Sequence, residues 1–219
     1  MPIWRIDLGG TKIEGVVLND DKLPKILVRK RIDTEAAQGY HHIISRIKLL
    51  IDTMAHELGY FPEKIGLGTP GTIDPISGLM KNANTTILNG RCFKEDVKKA
   101  LGIPLQMAND ANCFALAEYK MGIVPRKLPE ANVVFGVIMG TGVGGGIVVN
   151  GQLIHGRHGI GGEWGHNFLD VSGGSCYCGK TGCVETVISS KNLERYHHEK
   201  FHESKKLKDI YQGHLSGTS

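Results

Sequence analysis

Apolar residues recur at alternate positions over residues 3–6 and 13–18, and a third short run covers 26–31. That two-residue period predicts three strands, the first two joined by a glycine turn. The period then lengthens. Ile43, Ile44, Ile47, Leu50, Ile51, Met54 and Leu58 fall at helical spacing, with Gly59 as the stop. Residues 65–68 read as a short buried strand ended by Thr69-Pro70-Gly71, and Phe93, Val97, Ala100 and Leu101 mark a helix closed by Gly102. A strand over 105–108 and a helix over 111–121 follow. Residues 124–130, which contain Pro125 and Pro129, are the expected linker. A second block opens with a strand over 133–139, a glycine turn and a strand over 147–149. The expected domains are therefore 1–123 and 124–219.

Composition sets limits on this picture. With 219 residues, 41% hydrophobic and 22% charged, the chain can bury the core of one large or two small domains. Its 30 glycines stand well above the usual level of about 7%. Sixteen of them lie between Gly136 and Gly182 at irregular spacing, so the excess belongs to one stretch of backbone. A net charge of +4 from 26 basic and 22 acidic residues gives no dense basic track, which disfavours nucleic acid and anionic membranes as partners. No apolar run approaches the roughly 18 to 20 residues that span a bilayer. A strand pattern begins almost at Met1 and leaves no room for a leader, so the cytoplasm is the expected location. Cys92 and Cys113 are isolated among apolar residues, whereas Cys176, Cys178 and Cys183 are bunched; a disulfide framework does not fit.

The two blocks open alike, with an apolar strand, a turn of small residues containing Thr, and another apolar strand, which suggests two related halves. In the first turn Gly9 and Gly10 would let backbone N–H groups approach a polyanion, Thr11 adds a hydroxyl, and Asp7 could hold hydrated Mg²⁺. Thr141, Gly142 and Gly144 in the later turn could grip the same polyphosphate from the other side, as phosphoryl transfer requires. Plain hairpin turns are the simpler alternative. Two pattern matches are rejected. Gly140 to Gly145 fits GxGxxG, but β-branched residues follow where a dinucleotide fold needs a helix. Residues 174–181 fit a Walker A loop, but no strand leads into them and Gly182 interrupts the required helix.

His166, Cys176, Cys178 and Cys183 form H-x9-C-x-C-x4-C, a donor set suited to a closed, structural Zn²⁺ site; a chance group of reduced thiols is the alternative. Asn109-Asp110-Ala111-Asn112 links a strand to a helix. Asp110 there stays ionised at neutral pH, placed either as a base for a substrate hydroxyl or as an N-cap. Glu163, His166 and Glu185 add polar groups beside the cysteines, of a kind that a sugar would use. The pairs His41-His42 and His197-His198 are expected to be solvated.

These residues together resemble the ROK family of bacterial sugar kinases and sugar-responsive repressors, within the actin-like ATPase superfamily. Residues 7–12 resemble its first phosphate motif, 140–146 its second, Asn109-Asp110 its catalytic pair, and Glu163-Trp164-Gly165-His166 with Cys176-x-Cys178-Gly179-x-x-Gly182-Cys183-x-Glu185 its two signatures. The resemblance covers nearly the whole chain. It implies an α/β, two-domain actin-like (ribonuclease H-like) fold with ATP and sugar in a cleft, and Mg²⁺ and structural Zn²⁺ as metals. Asp110 would be the general base, acting commonly on a 6-hydroxyl. Asn84, Asn109, Glu163, His166 and Glu185 would contact sugar, and Asp7, Gly9, Gly10, Thr11, Lys12, Thr141 and Gly142 would hold the nucleotide. Within the family, residues 81–90 and the two signatures look most like fructokinase or mannokinase, with N-acetylglucosamine kinase close behind; a glucose kinase is a further alternative. Repressor members carry a helix-turn-helix domain ahead of the first phosphate motif, which disfavours a DNA-binding regulator here, whereas a non-catalytic sugar sensor is the alternative of another class. Relatives are often dimers, so a homodimer is expected on that ground alone. Family members also continue past the segment opened by Glu185, so a truncated chain that binds ATP poorly is the expectation.

Overall fold

The structure, a computed structural model, describes residues 1–19 and 24–217; residues 218 and 219 of the expected second domain lie outside them. The chain forms two compact units, Met1–Cys113 with His155–Ile160, and Phe114–Ile154 with Gly161–Ser219.

Among the described residues, the first unit is built on a five-stranded sheet. Strands β1 (Ile3–Leu8), β2 (Lys12–Leu18) and β3 (Ile26–Asp33) form an antiparallel meander, and β4 (Ile65–Thr69) pairs parallel with β1. Between them, helix α1 (Tyr40–Leu58) covers the sheet. The alternation in β1 and β2 sends Trp4, Ile6, Leu8, Ile13 and Val17 inward against Ile43, Ile47, Leu50 and Met54 of the helix. Met54 lies directly over Gly15, where a Cβ would sit 2.5 Å from its methyl carbon. Gly59, in the left-handed region at φ 79°, closes the helix by donating its N–H to Ala55 O. A small hairpin, β5 (Thr72–Ile73) with β6 (Met80–Lys81), precedes α2 (Phe93–Leu101) and β7 (Leu105–Asn109). Strand β7 pairs parallel with β4, giving the sheet order β3-β2-β1-β4-β7.

Helix α3 (Asp110–Lys120) starts directly from β7, and the division between the units falls within it, earlier than the proline-bearing stretch. That stretch is not a simple linker: residues 124–127 form the short helix α4 (Val124–Lys127), with Pro125 in its first turn, where a missing N–H is harmless, and Val124 buried. The second unit has an antiparallel sheet of order β10-β9-β8, from β8 (Val133–Met139), β9 (Val143–Val149) and β10 (Gln152–Leu153). Helices α5 (Val184–Ile188), α6 (Ser190–Phe201) and α7 (Leu207–Ser216) complete it.

Four expectations are corrected beside the linker. Strand β9 begins at Val143, so Gly144, Gly145 and Gly146 belong to a strand and only residues 140–142 turn. At Gly145 another backbone lies close: a Cβ there would be 2.7 Å from Gly162 O. His197 is buried, its Nδ1 3.1 Å from Glu203 O, while His198 beside it is exposed. His42 is not simply solvated, since its Nε2 lies 2.7 Å from Glu35 Oε2. Cys92 and Cys113 are exposed.

Candidate functional site

In the first unit the polar residues gather at one edge of the sheet because three parallel strands end there together. The register sets Asp7 of β1 beside Gly68 of β4, Gly68 beside Ala108 of β7, and Thr69 beside Asn109. Gly68 leaves room for the carboxylate of Asp7, whose Oδ1 would lie 3.4 Å from a Cβ there. Such strand ends are the usual place for ligands in open α/β sheets.

Asn109 and Asp110 divide their labour. Asn109 Oδ1 accepts the Asn112 N–H at 3.1 Å, so it is Asn109 that caps α3. Asp110 Oδ1 accepts from Ala111 N at 2.8 Å and Asn109 Nδ2 at 3.1 Å. Burial pushes the Asp110 carboxyl above its ordinary value, and the charge of Asp7 pushes the same way, against the Ala111 and Asn109 hydrogen bonds. Asp7 is itself raised, by burial and then by Glu14, its cross-strand partner. A carboxylate raised by burial and by the charge of a second one suits a cation beside it.

The first turn is braced from beneath. Gly9 N donates to Lys12 O at 2.9 Å, and Thr34, wholly buried, donates its Oγ1 to Gly9 O at 2.8 Å and its N–H to Thr11 O at 2.9 Å. A Cβ on Gly10 would meet Thr85 Oγ1 at 3.3 Å, so the loop bearing Asn84 and Thr85 lies against the turn. Asn89 shapes that loop by bonding both N and O of Ala83. Asn84 is exposed, and Thr85 Oγ1 lies 3.4 Å from its Oδ1. Lys12 is turned to Asp33, with which it pairs. A pocket of about 180 Å³ opens at the ends of β4 and β7, lined by Thr69, Ile73, Met107, Asn109, Asn112 and His155. Asn112 Oδ1 is buried there with no hydrogen-bond partner among the described residues.

The second unit gathers the remaining candidates. Gly140 N donates to Gly142 O at 2.9 Å, closing a tight turn with Thr141 exposed at its tip. Val143 N, at its end, donates to Glu185 Oε2 at 2.9 Å. Glu185 lies in the first turn of α5, and its own N–H bonds to Gly165 O at 2.8 Å. Gly165 is pressed to β9, where a Cβ would come within 2.1 Å of Val143 O. The motif Glu163-Trp164-Gly165-His166 is thereby fixed to the turn, and Trp164 packs edge-on against Phe135.

His166, Cys176, Cys178 and Cys183 converge, their ligand atoms all within 4.8 Å of one another. Cys178 Sγ is 3.6 Å from Cys183 Sγ, and Cys176 Sγ is 3.5 Å from His166 Nδ1. Tetrahedral zinc with Zn–S bonds of about 2.3 Å sets its donors near 3.8 Å apart, and the Cys178–Cys183 and Cys176–His166 pairs already stand close to that separation. Burial and the neighbouring Cys178 and Cys176 thiols raise Cys183, while partial desolvation of the exposed Cys178 is outweighed by the Lys180 backbone N–H and the adjacent thiols, which lower it. The other His166 nitrogen, Nε2, is 3.0 Å from Tyr177 Oη. Burial and the Glu185 carboxylate raise the Tyr177 phenol. Thr34, Gly68 and Tyr177 are the residues that motif reading passes over; only Tyr177, set between two cysteines, carries a sequence signal.

The solved structures that resemble this chain define its class. It superposes on the ROK hexokinase of Thermus thermophilus with a TM-score of 0.76 at 28% identity, covering 99% of this chain and 70% of that one. The glucokinase of Streptomyces griseus, solved with glucose and AMPPNP, gives 0.75 at 28% identity over 92% and 62%. The fold is that of the actin-like ATPases. Among curated proteins, the N-acetyl-D-glucosamine kinase of Aliivibrio fischeri is 32% identical over 98% of this chain and 71% of its own length. Residues 4–216 match the ROK family, and the chain belongs to it. The relative from Pectobacterium atrosepticum, 35% identical over 87% of this chain and 64% of its own length, also carries the N-acetyl-D-glucosamine kinase name.

Proposed function

We propose that the protein is an ATP-dependent hexose kinase that transfers the γ-phosphoryl group to a sugar hydroxyl, the 6-hydroxyl being the expected acceptor. Asp110 carries this reading. Its neighbour Asn109 takes the capping duty, so the carboxylate is left as a base whose raised pKa brings it nearer to working pH. ATP with Mg²⁺, when bound, supplies the phosphoryl group and neutralises its charge. Asp7 would hold the hydrated cation, and the backbone N–H groups and hydroxyls of Gly9, Gly10, Thr11, Thr141 and Gly142 would hold phosphate oxygens. Lys12 is the weakest member of the set, because Asp33 already engages it. Asn84, Asn109, Glu163, His166 and Glu185 are assigned to the sugar. His166, Cys176, Cys178 and Cys183 would hold zinc in a closed, structural site.

The relatives named N-acetyl-D-glucosamine kinase favour that sugar over fructose or mannose, with glucose second on the strength of the solved glucokinase. The test is a coupled ADP-release assay on the zinc-loaded protein with N-acetylglucosamine, glucose, mannose, fructose and N-acetylmannosamine. The highest kcat/KM is expected for N-acetylglucosamine. Sugar binding without turnover would instead identify a sensor, and neither binding nor turnover on any sugar would refute the reading.

A further inference from the structure

Residues 33–35, at the end of β3, hold the turn at residues 9–12 at three points. Asp33 pairs with Lys12, Thr34 N–H donates to Thr11 O at 2.9 Å, and Thr34 Oγ1 donates to Gly9 O at 2.8 Å. The last bond sets a direction. No peptide bond among the described residues is cis, so the Gly10 N–H lies anti to Gly9 O across one planar unit and points away from Thr34. It is a donor of the kind that a phosphate oxygen accepts from.

Segment 33–35 needs support of its own. Glu35 sits in the left-handed region at φ 53° and ψ 42°, a conformation that costs free energy in any residue with a Cβ and persists where its surroundings impose it. Two side chains of α1, four residues apart and so on one face of the helix, impose it. Arg46 Nε donates to Asp33 O at 2.9 Å while the same guanidinium stands 3.5 Å from Glu35 Oε1, and His42 Nε2 lies 2.7 Å from Glu35 Oε2. Gln38 Nε2 donates to that carboxylate at 3.1 Å. Thr34 is thus anchored on both sides by one arginine. A planar fork of donors can bridge a carbonyl and a carboxylate in this way, whereas a lysine ammonium has no such fixed geometry.

Resting on the reading of residues 7–12 as a phosphate site, we propose that Arg46 is a positioning residue for the nucleotide. It holds Asp33 and Glu35, these fix Thr34, and Thr34 turns Gly9 O inward and the Gly10 N–H toward phosphate. Arg46 acts through Thr34 and is not itself a phosphate contact.

The experiment is an equilibrium titration of the zinc-loaded full chain with MgATP, beside the ADP-release assay and a thermal melt. It compares the wild type with Arg46→Met, Arg46→Lys, Glu35→Gly and the Arg46→Met/Glu35→Gly double variant. Methionine keeps most of the apolar stem and removes the fork. Arg46→Met should weaken MgATP binding about 5-fold, the worth of one ordinary hydrogen bond, with kcat and KM for sugar within about twofold of wild type, and Arg46→Lys should fall between the two. Glycine enters the left-handed region freely, so in the Glu35→Gly background the same Arg46→Met change should cost clearly less. A stem that merely packs would give an equal loss in both backgrounds. That equality would overturn the proposal, as would unchanged MgATP binding by Arg46→Met, or failure of both single Arg46 variants to fold, which would make Arg46 a support of the whole unit. Failure of the wild type to bind MgATP would instead refute the kinase reading, and this proposal with it.

Discussion

Asp110→Asn separates the chemistry at Asp110 from its role in folding. The amide keeps the size of the carboxylate and an oxygen to accept from Ala111 N and Asn109 Nδ2, so α3 should start where it does now. What disappears is the base. General-base catalysis is worth about 10² to 10⁴ in rate, or about 3 to 5 kcal/mol of transition-state stabilisation. In the ADP-release assay kcat should fall by that factor with KM for sugar little changed. The wild-type acid limb of kcat/KM should lie above 3.8, the ordinary value for this carboxyl. Stability should move the opposite way. The folded pKa is raised, so the native state holds its proton more tightly than the unfolded chain, and stability is lost as pH rises from 3.8 through the folded value. Above the folded value that penalty is fully present, and removing the charge should make Asp110→Asn the more stable protein there. The difference should shrink as pH falls from the folded value to 3.8 and be gone below it. Retention of more than about a tenth of wild-type kcat would refute Asp110 as base, and a variant less stable at pH 7 would refute the electrostatic account.

Three further outcomes are expected. Stripping the metal with a chelator should lower the melting temperature by about 5 to 10 °C and abolish sugar binding, because buried Cys176 and Cys183 lose their common partner; an unchanged melt by a fully metal-free protein would contradict the zinc reading. Gly165→Ala forces a Cβ to within 2.1 Å of Val143 O, and chemical denaturation should register a loss of about 3 kcal/mol, the upper end for overpacking. Thr34→Val removes the hydroxyl that holds Gly9 O and should cost about 1 to 3 kcal/mol, with a raised KM for ATP against a nearly constant kcat.

Strand and helix periodicity made most of the first unit legible. The alternation of β1 and β2 and the one-sided apolar stripe of α1 are each written in local sequence, and both ends of α2 are where its apolar spacing and Gly102 put them. What escaped depends on partners distant in sequence. His197 looks polar and helical, yet it is buried by a bond to Glu203 O beyond the helix end. Thr34 has no motif around it, and its function comes from Gly9, which only the hairpin fold brings within 2.8 Å. Asp7 and the strand end that leads into Asp110 are brought to the same end of the sheet by strand register, which no one segment discloses. Residues 124–127 were misread because Pro125 signals a break in most settings but is at home in the first turn of a helix.

The glycine-rich stretch is where local reading and tertiary packing diverge most, and it also explains why a metal loop belongs in this unit. Glycines 144–146 read as a long phosphate turn, but they lie in β9, where Gly145 and Gly146 let the backbone at Gly162 approach and Val143 meets Gly165. That contact sets Gly165 against Val143, and Gly165 O and Val143 N then hold the two ends of Glu185, the first at its backbone N–H and the second at its carboxylate. Glu185 follows Cys183 by two residues and His166 follows Gly165 by one, so two of the four donors are attached directly to this junction. A cation bound by the cluster would therefore stiffen Glu185, His166 and the start of β9 together. The prediction for chelation above is specific on this point: sugar binding should fail at metal-to-protein ratios where the β8–β9 hairpin is still folded, because the hairpin's ladder is complete from Val133–Val149 to Met139–Val143 without the loop. Hydrogen exchange can read the two regions separately, and simultaneous loss of protection in the hairpin and in α5 would show that the metal holds up the whole unit instead.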